Sequence, residues 1–297
     1  LSGSGKQTLT IGSAVGDGFL QSATAGGTLV LNSESSNGLT VNAVISNNTS
    51  ASALTKTGAA LLTLAAANTY TGTTNLATGT VKVTHTGGLG PANNAVTLSG
   101  GTLQLATDSS ISSKNLTIGG QASIVLDRAT AGAGISTSLG NLTFSDTWTL
   151  AVTKGANVTS GTATLNFTGF PALGAAGKTA GFDVGTGVDL ILSGNLTGTQ
   201  AFAQIQKLGA GTLVLSGNNN YWDPASNTGL ITVSGGTLDL RSQNAMGDGG
   251  TGANSIGLSM AAGTTLRVAT DTVLANNATT TLTGTGVTIV SDRATSG

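Results

Sequence analysis

Acidic side chains are the first place to look for chemistry in this chain, because few other reactive groups are present. There are 12 Asp and Glu in 297 residues, of which Glu34 is the lone glutamate, with a single histidine, His85, and no cysteine. Two carboxylates held about 5–10 Å apart can cleave a glycosidic bond, one as acid and one as base or nucleophile. Asp108 with Asp127, and Asp271 with Asp292, are the pairs that stacked turns would bring onto neighbouring levels. The second acid of each pair is followed at once by an arginine, in Asp127-Arg128-Ala129-Thr130 and Asp292-Arg293-Ala294-Thr295. A carboxylate beside a guanidinium, repeated because the structural unit repeats, reads as a corner ion pair. Asp127, Arg128, Asp292 and Arg293 are therefore expected to be structural, and no catalytic residue is assigned.

The remaining candidates are weaker. His85 has no second histidine or cysteine with which to build a zinc site, and it reads as a polar corner residue. Gly247-Asp248-Gly249-Gly250-Thr251-Gly252 has the composition of a calcium-binding turn, but such turns share each ion between tandem copies and here there is one. No metal or cofactor is expected. Trp148, Trp222, Tyr70 and Tyr221 are too scattered to form a stacking platform for bases or sugars. Trp222 stands beside Asp223-Pro224 in a longer loop, which makes Trp222 and Asp223 the expected point of lateral contact. Sequons at Asn115, Asn141, Asn157 and Asn195 follow from a chain rich in Thr and Asn.

Composition narrows the function classes. Charged residues make up 8% of the chain and net charge is −1, against roughly 25% charged in an ordinary domain. Nothing here attracts nucleic acid or an anionic membrane electrostatically. The hydrophobic content of 38% is too high for a disordered chain. The 46 Gly follow no strict third-position rule and Pro is scarce at 3, which excludes collagen. No stretch approaches the ~18 apolar residues that span a bilayer as a helix. The sequence starts at Leu1 without a leader pattern, so it is expected to be a fragment or repeating unit of a longer protein or fibre.

The elements that would carry these residues are strands. Leucines two apart recur as Leu29/Leu31, Leu62/Leu64, Leu103/Leu105, Leu213/Leu215 and Leu238/Leu240, with Thr, Val, Gln or Asp between them. That period of two buries one face and wets the other. No window sustains apolar residues at helical spacing, so helix is expected to be nearly absent. Strand segments return every 18–25 residues, separated by Gly, Asn and Ser. One return per turn suits a β-solenoid, in which parallel coils stack at about 4.8 Å. The competing antiparallel sandwich has one tight-hairpin signal, Asn37-Gly38, and does not explain in-register repeats.

Those repeats are explicit. Residues 56–72 read KTGAALLTLAAANTYTG and residues 207–223 read KLGAGTLVLSGNNNYWD, an offset of 207 − 56 = 151. GGTLQL at 100–105 returns as GGTLDL at 235–240. The chain is thus expected to be a single elongated solenoid of two divergent long repeats, approximately 1–136 and 137–297. Lys56 and Lys207 occupy matching positions, and their stems are expected to cover a corner with the amines in water.

The block KTGAxxLTLxxxNTYTGTT at 56–74, its second copy at 207–221 and the GGTLQL and GGTLDL endings resemble the autotransporter-associated β-strand repeat, also called the passenger-associated transport repeat. The resemblance implies a right-handed parallel β-helix within a large bacterial surface or secreted protein, and it carries no active-site residues. Function is accordingly expected to be structural and extracellular: a stalk, fibre or surface filament that continues into further repeats or stacks end to end. The alternative is an adhesin-type passenger that contacts glycans or a cell surface through loops at 168–186 or 220–229.

Overall fold

The computed structural model describes residues 9–111, 113–172, 178–195, 197–198, 204–221, 228–247, 255–271, 274 and 280–292. Every regular element among them is a β-strand, and the described strands pair in parallel. The protein is a β-solenoid of parallel stacked coils, and the antiparallel sandwich is excluded. Two compact units are present. One comprises 1–140 with 155–161, and the other 141–154 with 162–297.

In the first unit, one sheet runs through Leu9–Ile11, Leu39–Val41, Leu61–Leu64, Thr80–Val83, Thr102–Ala106 and Ala122–Asp127. A second sheet contains Thr28–Asn32, Ala53–Thr57, Thr74–Leu76, Ala95–Leu98 and Asn115–Ile118. Register places like on like. Leu39, Leu62, Val81, Leu103 and Ile124 form one interior column, and Val41, Leu64, Val83, Leu105 and Leu126 form the next. All ten side chains are buried, each contributing roughly 1.5–3 kcal/mol of transfer free energy. Thr40, Thr63, Lys82 and Gln104 alternate with them on the outer face.

The second unit repeats the plan with Thr179–Val184, Gln204–Leu208, Thr228–Val233, Ser255–Met260 and Thr280–Leu282 in one sheet. Val188–Leu192, Thr212–Leu215, Thr237–Leu240, Thr265–Ala269 and Thr288–Asp292 lie in the other. Its core column Leu190, Leu213, Leu238 and Leu266 follows the same like-on-like register. Phe182 fills its coil from the side, edge-on to Phe144 with ring centroids 5.4 Å apart.

Coil length varies more than the 18–25 residues expected from the strand spacing. Among the described pairings the shortest repeat is Leu62 to Val81 (81 − 62 = 19), and the longest is Trp148 to Ala180 (180 − 148 = 32). The difference is taken up at corners and in long strands such as Val158–Ala172. Of the segment 168–186, named above as a contact loop, residues 173–177 lie outside the described residues. Most of its described residues belong to Val158–Ala172 and Thr179–Val184, with Phe182 buried in the core.

Candidate functional site

Charged residues inside an aliphatic solenoid are its chemically unusual feature, and they begin with the two motif lysines. Lys56 stands in the column of Leu31, Leu76 and Leu98, and Lys207 in that of Phe182, Val233 and Met260. Both are 0% exposed, which corrects the expectation of wet amines. The signal lay in the period-two pattern itself: Leu54-Thr55-Lys56 and Ile205-Gln206-Lys207 place each lysine on the inward side.

A buried ammonium needs hydrogen-bond acceptors to offset desolvation, and the corner supplies main-chain carbonyls. Lys56 Nζ donates to Thr57 O at 2.7 Å, Gly58 O at 2.6 Å and Thr78 O at 3.4 Å. Lys207 Nζ donates to Leu208 O at 2.6 Å, Gly209 O at 2.8 Å and Gly235 O at 3.1 Å. In each case two carbonyls belong to the lysine's own corner and the third to the next coil. The glycine two residues after each lysine has positive φ, +81° at Gly58 and +71° at Gly209. A Cβ there would collide with a carbonyl of the preceding coil, Ser33 O or Val184 O, so both the backbone angle and the close approach require glycine.

Lys114 is a third buried lysine, and its Nζ donates backward to Gly90 O at 2.8 Å and to Pro91 O. Burial pulls the Lys207 and Lys114 ammonium groups down to about 8 and lowers that of Lys56 as well. Glu34 pulls the other way on Lys56, and Asp183 on Lys207.

The corner asparagines form a second repeated device. Asn68 is buried, accepts from Ile45 N at 2.8 Å and donates to Gly88 O at 2.6 Å, spanning the coils before and after it. Asn219, 151 positions on, donates to Ala245 O at 2.6 Å. Tyr70 is fully buried, and its hydroxyl lies 2.6 Å from Thr74 Oγ1. Burial raises the Tyr70 pKa well above the ordinary phenol value.

The first acid–arginine pair differs from the expectation. Asp127 and Arg128 do not pair with each other. The Asp127 carboxylate, 4% exposed, accepts from its neighbour's backbone at Arg128 N, from Asn157 N and from Gln104 Nε2, at 2.9, 2.9 and 2.8 Å. Arg128 reaches instead to Asp108 on the preceding coil, 3.3 Å away, and to the carbonyls of Thr130, Ala133 and Gly134. Consecutive strand residues point to opposite faces, so the next coil is a better partner than the adjacent residue. Asp292 pairs across coils too, with Arg267 at 2.6 Å, and Arg293 lies outside the described residues.

Arg267 also contacts Asp239 Oδ2 at 3.0 Å, and Arg241 binds the same oxygen through Nε and Nη2 at 2.9 and 2.8 Å. Asp239 is 1% exposed. Sequence reasoning missed this group because its arginines lie 2 and 28 positions away.

These carboxylates are engaged by donors. Asp108 accepts from Thr130 N and Oγ1, which hold its carboxyl below the usual carboxylate range, with Arg128 adding to the effect. His85 is half-buried in a turn and accepts from Gly87 N at Nδ1, 3.0 Å. Among the described residues no cluster of three or more His, Cys, Asp or Glu is placed to hold a metal. Trp222 and Asp223, the expected lateral contact, lie outside the described residues, as do 248–252 of the glycine-rich turn.

Comparison with known proteins agrees with the motif. The passenger-associated transport repeat matches residues 54–83 and 205–240, the segments that carry Lys56 and Lys207. Over 278 aligned residues the chain is 30% identical to a protein named adhesin BmaC autotransporter, from Brucella suis biovar 1 (strain 1330). The alignment covers 78% of this chain and 8% of that relative's length. No solved structure matches the chain.

Proposed function

We propose, from the premise that the chain carries two passenger-associated transport repeats, that it is a length of the solenoid stalk of a bacterial surface passenger. Its work is mechanical rather than catalytic. The observation that supports this most directly is the unbroken parallel register within each unit, which pairs backbone with backbone at every described rung. Extension along such a stack requires breaking whole rungs together. The Thr- and Asn-rich outer face keeps the stack wetted without accumulating charge.

The outermost described rungs favour axial growth. Interior positions are uncovered there: Leu9 is 47% exposed, Leu282 52% and Ile289 58%. An uncovered strand edge with an apolar interior column recruits another parallel coil. In this reading, the column is continued at each end either by further coils of a longer chain or by copies stacked head to tail into an open filament. Sedimentation velocity across a wide concentration range tests it: the 297-residue chain grows into longer species, and Leu9→Lys or Ile289→Lys abolishes the growth. A monomer at every concentration, by sedimentation and in electron micrographs, would refute the stacking.

A second reading is favoured by the relative's name, adhesin. Here the stalk presents a contact surface to glycans or to a host cell, and residues 220–229 are the segment to test. Binding to a glycan array that disappears when this segment is shortened supports adhesion. Binding that survives the deletion argues against this segment.

A further inference from the structure

We infer that the corner after each motif lysine is an ammonium-binding site, a cage of main-chain carbonyls whose primary-ammonium ligand is supplied by the chain itself and ties one coil to the next. The lysine is not needed to fill space. Leu31, Leu76 and Leu98 occupy the same column as Lys56, and Val233 and Met260 the same column as Lys207, with no charge to bury. Burying a cation costs several kcal/mol unless its hydrogen bonds are replaced. A lysine that served only as filler would be a poor choice at two equivalent corners.

The cage is built by backbone geometry. Gly58 and Gly209 adopt positive φ immediately beyond the lysine, and their own carbonyls accept from Nζ. On the next coil, the third carbonyl comes from Thr78 or Gly235, each directly before another positive-φ glycine, Gly79 (+74°) or Gly236 (+65°). Two glycines in each corner thus help aim three oxygens at one point, with Gly209 151 positions after Gly58 and Gly236 157 positions after Gly79. An ammonium carries three N–H donors, which matches three oxygens. Neither lysine forms an ion pair with a described carboxylate within 4.0 Å. The ligand recognised is therefore an N–H-bearing cation held by neutral oxygens. Lys114 uses the same chemistry from the opposite direction, reaching back to Gly90 O and Pro91 O.

If the site recognises a primary ammonium, a free one will serve. Lys56→Ala and Lys207→Ala each remove all but the Cβ of the stem, and the missing piece is propylammonium. Thermal unfolding of the whole chain is measured at pH 7 with propylammonium, with propyltrimethylammonium and with 1-propanol. Each substitution is expected to lower Tm by about 4 °C or more. Propylammonium is expected to recover at least half of that loss, while the two controls recover little. Equal recovery by 1-propanol would show that the corner merely needs filling, and equal recovery by propyltrimethylammonium that it needs charge without N–H donors; either result overturns the proposal, as does an unchanged Tm.

A variant that fails to fold leaves the wild-type protein to decide. Reductive methylation followed by mass spectrometry reads each amine separately. Exposed Lys154 should label at once, and Lys56 and Lys207 at least about tenfold more slowly, since they react only when a coil opens. Labelling of all three at one rate would place the amines in water and end the case.

Discussion

Asp239 and Arg267 stand opposite each other in register on adjacent strands, joined through Oδ2 and Nη1 at 3.0 Å. Arg241 holds the same oxygen from its own strand end, and Asp292 takes the other end of the Arg267 guanidinium. The result is a row of alternating charge running along the coils, anchored on a carboxylate that is 1% exposed. Its Oδ1 is buried without a hydrogen-bond partner, so the carboxylate depends on the two arginines.

That dependence gives the first expected outcome. Arg241→Ala or Arg267→Ala alone leaves one guanidinium on Asp239 and costs little, because each arginine is about a third exposed and partly screened. Together they strand a buried charge. The double substitution is expected to exceed the sum of the single ones by about 1 kcal/mol or more. Urea unfolding of the four proteins in the cycle measures the excess, and strict additivity would contradict it.

Lysine burial makes stability depend on pH in a defined direction. The folded Lys207 and Lys114 pKa values lie at about 8, below the ordinary 10.5. Between those two values the unfolded chain holds more protons than the folded one, so stability rises as pH increases. Below about pH 8 both states are protonated and this contribution is flat. Tm measured from pH 7 to 10.5 is expected to climb less in Lys207→Met than in the wild-type chain. A parallel climb in the two would refute the assignment.

Asn68→Ala should be among the costliest polar truncations, since one amide serves the Ile45 N–H on one side and the Gly88 carbonyl on the other. Two buried backbone groups lose their partner, at about 1–3 kcal/mol each. Asn68→Asp keeps the acceptor, loses the donor and buries a charge, and is expected to be at least as severe at neutral pH. Denaturant midpoints for the two variants rank them.

A pair of glycines separates backbone angle from crowding. Gly16 and Gly209 both have positive φ, but a Cβ at Gly16 meets nothing within 4 Å, whereas at Gly209 it runs into Val184 O. Gly16→Ala should therefore cost only the ~1–2 kcal/mol of the left-handed angle. Gly209→Ala should cost about 2 kcal/mol more, because the coil spacing itself has to open. Similar losses in both would mean that the corner yields.

How far the sequence reached follows from the same residues. Alternation at Leu62/Leu64 and Leu213/Leu215 was enough to place strands and their inner faces, and the repeated KxG and NxY blocks were enough to stack them. What the alternation also said about Lys56 was overridden by side-chain type, since a lysine reads as a surface residue unless its partners are known. Those partners are main-chain oxygens of its own corner and of the next coil, which have no signature of their own in sequence. The Asp127–Arg128 pairing failed for a related reason. Adjacency along the chain suggested a contact, while the geometry of a strand sends neighbours apart and lets Asp108, from the level below, receive the arginine.

Coils that run from 19 to 32 residues while keeping their columns aligned have a consequence for how such a protein changes over time. Extra residues enter at bends, where closing a somewhat longer loop costs only a few tenths of a kcal/mol, or lengthen a strand such as Val158–Ala172, and the columns stay in register. Insertion and deletion, more than substitution, then become the inexpensive route to variety. The outer outline can be rewritten bend by bend while the spine beneath it is inherited intact.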